Sequence, residues 1–315
     1  MKKINNKTIL VSGGNGFLGS FVVKELKKEG KNNKIITINS KEFDLSKEES
    51  VKKIFKKFKK VDYVIHLASA HGGLYYNIKN CGDIYYKNIL MNTYLMHHSA
   101  LNNVKKFLSA GTVDAYPKNA KTPWKETDLW KGYPEETSSA YAFSKKMLIV
   151  QGLAYKKQYG LNAIHLLFMN LYGPHDQFDL KKSHVIPAII KKIFIAKQKG
   201  KKKIDVYGTG KQKREFLYVE DAANSILLAL KKYSSCKPLN IGTGRSHTIS
   251  EVVNTIIKLI NYKIIINWKK NIETGISKKS FNVLRAKKEI GFSYKVDLKE
   301  GLKNTIDWYK IYMKK

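Results

Sequence analysis

Residues 8–19, TILVSGGNGFLG, decide the fold of this chain. The first five residues are largely apolar or β-branched and predict a strand, whereas a helix is predicted to begin at Phe17. Between them, glycines allow a tight turn and let the backbone approach a pyrophosphate at the N-terminus of the helix. This order of strand, glycine loop and helix predicts a dinucleotide-binding domain. Its candidate cofactor contacts are Gly13, Asn15, Gly16, Phe17, Leu18 and Gly19.

Short apolar runs alternate with longer periodic segments after this stretch. Because strands separated by helices pair in parallel, the alternation predicts an α/β fold with a Rossmann-like, doubly wound parallel sheet. The predicted strands are 8–12, 34–38, 62–67, 105–109 and 163–169, and the clearest helices are 17–28 and 140–159.

The pattern becomes less regular after Asn170 and predicts a second lobe. Residues 183–197 have the period of an amphipathic helix, and 202–219 predict a strand, a glycine turn and another strand. A helix at 219–232 and a strand within PLNIGTG follow. We therefore predict a dinucleotide-binding domain at 1–172, joined again by about 216–243. Residues 173–315 would mainly form a smaller C-terminal α/β substrate lobe.

The net charge of +34 comes almost entirely from lysine, because only three of the 59 basic residues are arginines. The lysines are spread through nearly every predicted helix, so we interpret them as solvated faces and expect no dedicated nucleic-acid partner. The alternative is attraction of polyanions or of a doubly negative substrate. No apolar run is long enough to predict a membrane span, and no secretion signal is evident. Two cysteines predict neither a disulfide framework nor a metal site, and we expect a cytoplasmic protein.

The residues after the second predicted strand bear on the choice of dinucleotide. An NAD site typically has a carboxylate about 20 residues beyond the glycine loop. Here Asn39 stands at that place, followed by Ser40 and Lys41, which would accommodate a 2′-phosphate. The sequence therefore favours NADP(H), while NAD(H) with Asn39 on a plain ribose stays open. Asp44 is placed to bind the adenine amino group.

Tyr141 and Lys145 lie four residues apart on a predicted helix, and hence on one face. A nearby ammonium favours a phenolate, so we expect Lys145 to lower the pKa of Tyr141 and make it a general acid for a carbonyl that receives hydride. Thr112 follows the fourth predicted strand and could orient that carbonyl. The alternatives are a chance YxxxK pattern and an ordinary turn threonine.

Across nearly its whole length, the chain resembles the GDP-L-fucose synthase family of extended short-chain dehydrogenases/reductases. The resemblance is densest in NLYGPHDQF (170–178), SHVIP (183–187), YGTG (207–210) and REFL (214–217). It implies NADPH-dependent reduction of a GDP-linked 4-keto-6-deoxy sugar, or a heptose relative, after inversion at the two carbons that flank the ketone. It also implies a homodimer that packs through helices around 85–102 and 140–159.

The resemblance assigns further candidate residues. It implies that His184 reprotonates the carbanion formed during inversion. It places the GDP beside Lys192, Tyr207 and Arg214. The remaining implied contacts with the cofactor or the sugar are Leu67, Ala68, Ala110, Asn170 and Leu171.

Asp114 departs from the family pattern, because it stands where the family has its cysteine base. A carboxylate is a poor base for a carbon acid unless burial raises its pKa. Asp114 is therefore either a base with an altered stereochemical outcome or polar lining in a reductase that no longer epimerises. The family's glycine-loop arginine is also replaced, by Asn15. Two other functions stay open: a redox-neutral, NAD-retaining epimerase or dehydratase, and a non-catalytic nucleotide or polyanion binder.

Overall fold

Six parallel strands form the central sheet of the computed structural model, which describes residues 3–30, 32–270 and 275–313. The strands of the chain are β1 (Thr8–Ser12), β2 (Lys34–Ile38), β3 (Tyr63–His66), β4 (Lys106–Thr112), β5 (Asn162–Phe168), β6 (Asn170–Tyr172), β7 (Lys203–Tyr207), β8 (Lys213–Tyr218), β9 (Leu239–Ile241), β10 (Ser246–Thr248) and β11 (Ile265–Lys269). The central sheet has the order β2-β1-β3-β4-β5-β9, with Val11 opposite Thr37 on one side and Ile65 on the other.

Helices cover both faces of this sheet. They are α1 (Phe17–Glu29), α2 (Glu48–Lys57), α3 (Leu74–Lys79), α4 (Cys81–Leu101), α5 (Ser139–Tyr159), α6 (Val185–Gln198), α7 (Val219–Lys232), α8 (Ile249–Ile260), α9 (Leu284–Ile290) and α10 (Leu298–Tyr312). The apolar sides of α1 and α7 pack on one face, whereas α2, α4 and α5 pack on the other. The predicted α/β class with a parallel, Rossmann-like sheet is confirmed.

Two small sheets build the second lobe. One has the order β10-β8-β6, and the other pairs β11 with β7 in parallel. Their apolar side chains pack with those of α6, α8 and α10 in a core of their own.

The predicted boundaries of the lobes stay a prediction, and the packing of the elements bears on them at two places. Residues 216–218 lie in β8, where Leu217 is buried in the first core while Phe216 and Tyr218 are buried in the second. Helix α9 lies within the predicted substrate lobe, yet its Ala286 and Ile290 are buried in the first core. The reason is its amphipathic face, which covers apolar surface beside α7 and β9. None of the described helices is long and apolar enough to cross a membrane.

Candidate active site

A cleft of about 860 Å³ opens at the carboxyl ends of the central strands, between the two lobes. Chain order reverses between β1 and β3, and ligands of open α/β sheets bind where such a reversal separates the loops. Most of the predicted site residues line this cleft. They are Gly13, Asn15, Gly16, Phe17, Leu18, Gly19, Ser40, Asp44, Leu67, Ala68, Ala110, Thr112, Asp114, Tyr141, Lys145, Asn170, Leu171 and His184.

The glycine loop suits a pyrophosphate because its backbone is packed so closely that Gly13 and Gly19 leave no room for a side chain. Gly13 has φ of 69°, and an added Cβ would lie 2.8 Å from the backbone nitrogen of Ala68. A Cβ on Gly19 would overlap the carbonyl oxygen of Gly13. The glycine loop therefore lies close to the loop that contains Ala68. Together with the N-terminus of α1, these loops form a cradle that suits a dinucleotide.

Asn39, Ser40 and Asp44 line the end of the cleft beyond β2. Hydrogen bonds from the Ser46 side chain and then its backbone hold the pKa of Asp44 below its ordinary value. Lys41 does not line the cleft. Its side chain is exposed while its backbone N–H donates to Asn39 Oδ1 at 2.9 Å. Lys87 of α4 supplies a cation to this part of the cleft instead.

The structure brings Thr112, Tyr141 and Lys145 to one wall of the cleft. Strand β4 extends three residues beyond its predicted end, so Thr112 is its last residue rather than part of a turn. Tyr141 and Lys145 lie one turn apart on α5. Lys145 is buried, and burial lowers its pKa to about 8.

The predicted direction of the Tyr141 pKa is wrong. Burial raises it to about 12, against the lowering effect of a hydrogen bond with Ser69, and the charge of Asp114 adds to the rise. Loss of solvation penalises the phenolate more than its neighbours stabilise it. Tyr141 therefore keeps its proton at neutral pH and can donate it.

Asp114 forms an ion pair with Lys279, whose Nζ lies 2.5 Å from Oδ1. Its backbone N–H also donates to Thr112 Oγ1 at 3.2 Å. Burial acts to raise the pKa of Asp114, but the charge and hydrogen bond of Lys279, with the charges of His184 and Arg214, outweigh it. The net pKa is lower than usual, so the condition under which Asp114 would be a useful base is not met.

Two histidines, His71 and His184, also line the cleft. The His71 ring stacks on Tyr141 with centroids 5.5 Å apart, and it lies 5.8 Å from the ring of His184, the residue that precedes α6. Protein surrounds both rings, although the open cleft keeps them accessible. Burial lowers the pKa of His71 to about 4 and also lowers the pKa of His184, so both are neutral at pH 7.

Lys192, Tyr207 and Arg214 do not line the cleft. Lys192 Nζ donates to the carbonyl oxygen of Asp205 at 2.8 Å and lies 5.0 Å from the centroid of the Tyr207 ring, on the second lobe. Arg214 lies closer to the catalytic residues, since the charges of Asp114 and Glu135 act to raise its pKa.

Sequence reasoning missed Ser69, His71, Lys87 and Lys279. The signal for the first two was their position, directly after the carboxyl end of β3, where an α/β sheet places its ligand loops. Lys87 and Lys279 carried no signal, because each is one lysine among very many.

Residues 9–242 match the family described as "NAD dependent epimerase/dehydratase family". The chain is 34% identical over 301 residues to GDP-L-fucose synthase 1 of Arabidopsis thaliana, covering 96% of this chain and 92% of that protein. Its fold is similar, with a TM-score of 0.90, to a GDP-L-fucose synthetase from Naegleria fowleri bound to NADP (27% identity, covering 100% of this chain and 97% of the other). It is equally similar, with a TM-score of 0.90, to a GDP-6-OMe-4-keto-L-xylo-heptose reductase from C. jejuni (27% identity, 99% and 100%).

Proposed function

Since this chain belongs to the NAD dependent epimerase/dehydratase family, we propose that it is an NADPH-dependent enzyme that reduces the C4 ketone of a GDP-linked sugar. The observation that carries the proposal is the placement of Thr112, Tyr141 and Lys145 beside the glycine cradle in one cleft. The relatives support the substrate class, because they are named for GDP-sugars and one of them is a 4-keto reductase.

The residues of the first lobe would hold NADP(H). Gly13, Gly16 and the N-terminus of α1 suit the pyrophosphate, and Ser40 suits a 2′-phosphate because no carboxylate stands at Asn39 to repel it. The NADP bound by the N. fowleri relative supports this choice of cofactor. When bound, NADPH supplies the hydride.

Three side chains, Thr112, Tyr141 and Lys145, would act on the C4 oxygen and its proton during reduction. Tyr141 donates its phenolic proton to the C4 oxygen as negative charge develops there. Thr112 donates a hydrogen bond to the same oxygen and orients the carbonyl. Lys145 holds a positive charge beside them below pH 8 and binds the cofactor ribose.

The Asp114–Lys279 ion pair favours reduction without inversion of the neighbouring carbons. A base that abstracts a proton from carbon needs a pKa near the working pH. The pKa of Asp114 lies below its ordinary value, and its carboxylate is held by Lys279. Asp114 therefore serves as a polar contact for the sugar rather than as an epimerisation base.

The test is turnover of GDP-4-keto-6-deoxymannose with NADPH in heavy water, followed by absorbance of the reduced nicotinamide and by counting deuterium in the product. We expect NADPH loss with no deuterium at C3 or C5. Tyr141→Phe should lower kcat roughly 100- to 10,000-fold, whereas the matched control Tyr159→Phe, at the far end of α5, should not. Deuterium at either carbon would contradict reduction alone, and deuterium without NADPH loss would instead indicate a redox-neutral epimerase.

We propose that the protein is a homodimer that packs through α4 and α5. These helices lie side by side, and their outer surfaces leave Tyr86, Val150 and Leu153 between 46% and 61% exposed. Exposed apolar side chains clustered on adjacent helices are typical of a protein interface. Leu153→Glu should give monomers in sedimentation experiments, whereas Ile265→Glu on β11 should not.

Two unpaired thiols among the described residues are compatible with the reducing cytoplasm as the compartment of this protein.

A further inference from the structure

A chain of buried hydrogen bonds crosses the first lobe beneath the cleft. Ser12 Oγ lies 2.6 Å from His66 Nδ1, and His66 Nε2 lies 2.9 Å from Asn92 Oδ1. Asn92 Nδ2 donates to the carbonyl oxygen of Ser144 at 2.8 Å. All four residues are at most 1% exposed, so water does not compete for these bonds.

The direction of every hydrogen bond in this chain is determined by its last member. A carbonyl oxygen only accepts, so the Asn92 amide must turn its nitrogen toward Ser144 and its oxygen toward His66. His66 then donates from Nε2 and accepts from the Ser12 hydroxyl at Nδ1. Burial, with the nearby charge of Lys145, lowers the pKa of His66 to about 3, which keeps the ring neutral as this arrangement requires.

The chain joins the two parts of the site that must be aligned. Ser12 directly precedes Gly13 of the glycine loop, and its hydroxyl oxygen accepts the backbone N–H of Ala68 at 3.4 Å. At the other end, Ser144 directly precedes Lys145, and its hydroxyl donates to the carbonyl oxygen of Tyr141 at 2.8 Å. Ser144 therefore contacts the backbone of one catalytic residue and adjoins the other.

We propose that Asn92 is a positioning residue, which acts through Ser144 to hold the Tyr141–Lys145 turn of α5 in register with the glycine loop. This inference rests on the proposed reductase function. Without the Asn92 side chain, the carbonyl oxygen of Ser144 loses its hydrogen bond from α4. The Nε2–H group of His66 loses its acceptor at the same time. Tyr141 and Lys145 would then move relative to the ketone and the cofactor.

A second buried pair offers a matched control. Ser109 Oγ lies 2.8 Å from His165 Nδ1, on strands β4 and β5. Both residues are at most 1% exposed, like those of the first chain. His165 Nε2 has no hydrogen-bond partner among the described residues, so this pair does not continue to the catalytic turn.

The groups that titrate around the turn come from several elements. The charge of Lys145 acts on His66 of β3 and on His71 in the loop that follows it. Tyr141 faces His71 and feels the charge of Asp114, beyond the end of β4. A shift of the turn alters these distances, and hence the pH dependence of the reaction, whereas a loss of stability alone does not.

The experiment compares Asn92→Leu, Asn92→Asp and Ser109→Ala with the unmodified protein, at a temperature where circular dichroism shows all four folded. We expect Asn92→Leu to lower kcat roughly 10- to 100-fold and to shift the basic limb of the pH profile. Asn92→Asp should retain activity at low pH, where its new carboxyl is protonated and can donate to Ser144, and lose it as that group ionises. Ser109→Ala should keep both kcat and the profile.

Hydrogen exchange of residues 139–146 gives a measurement that needs no substrate. We expect faster exchange in Asn92→Leu than in Ser109→Ala. An unchanged pH profile and unchanged exchange in Asn92→Leu, or equal effects in Ser109→Ala, would overturn the positioning role. Failure of the unmodified protein to oxidise NADPH would overturn the proposed function instead, and the exchange data would still decide whether Asn92 anchors the turn.

Discussion

Lys279 Nζ lies 2.5 Å from Asp114 Oδ1, although the two residues are 165 positions apart in the chain. Lys279 comes from the segment that follows β11, and it reaches Asp114, which directly follows the end of β4. The pair therefore joins two segments that only the tertiary structure brings together. It also decides the chemistry of Asp114, because a carboxylate that already binds an ammonium is a weak base.

Replacing Lys279 should restore basicity to Asp114. In Lys279→Met the lowering charge is gone while burial remains, so the pKa of Asp114 should rise. We expect deuterium from heavy water to become detectable at C3 or C5 of the product at saturating substrate, while NADPH is still oxidised. Lys278→Met, an exposed neighbour, is the control. Equal exchange in the two variants would contradict the role given to the ion pair.

Activity should fall as the pH rises through about 8, because Lys145 loses its charge there. Unfolding is not the reason. The buried Lys145 binds a proton less tightly than in the unfolded chain, so its contribution to the free energy of unfolding increases between pH 8 and 10.5. The measurement is kcat against pH, with thermal unfolding at the same pH values.

The titration of Asp176 must be distinguished from that of Lys145 in this pH profile. It lines the cleft, and burial raises its pKa to about 7. In Asp176→Asn the fall in kcat near pH 8 should persist. Its disappearance would assign the fall to Asp176 and contradict the role of Lys145.

Gly13→Ala should weaken binding of NADPH at least roughly tenfold, equivalent to about 1.4 kcal/mol. The added methyl would press on the backbone of Ala68 and displace the loop that approaches the pyrophosphate. Gly160→Ala is a close control, because Gly160 has φ of 70° but no atom within 4 Å of an added Cβ. It should cost about 1–2 kcal/mol of stability and leave the affinity for NADPH unchanged, as measured by nicotinamide fluorescence.

His71→Phe should raise the KM for the sugar nucleotide roughly tenfold while the KM for NADPH stays constant. Phenylalanine keeps a ring that can stack on Tyr141 but removes the two ring nitrogens from a residue that lines the cleft. Initial rates at varied concentrations of each substrate provide the test. A change confined to NADPH would place His71 at the cofactor instead.

Much of the fold and part of the site could be predicted from the sequence. Residues 8–12 form the predicted strand at the predicted bounds, and 34–38 do as well. Thr112, Tyr141 and Lys145 lie together because parallel strands end at one edge of the sheet and residues four apart share a helix face. These features depend on interactions between neighbours in the chain and on rules common to all parallel sheets.

The tertiary structure alone decided the protonation of the site and the partners of its charges. The pKa of Tyr141 rises although Lys145 is near, and the pKa of Asp114 falls although it is buried. Lys279 and Asn92 gain their importance from contacts with residues remote in the chain. Solvation and Coulomb energies depend on distances in space, and these distances are set by the packing of whole lobes rather than by any local pattern of residues.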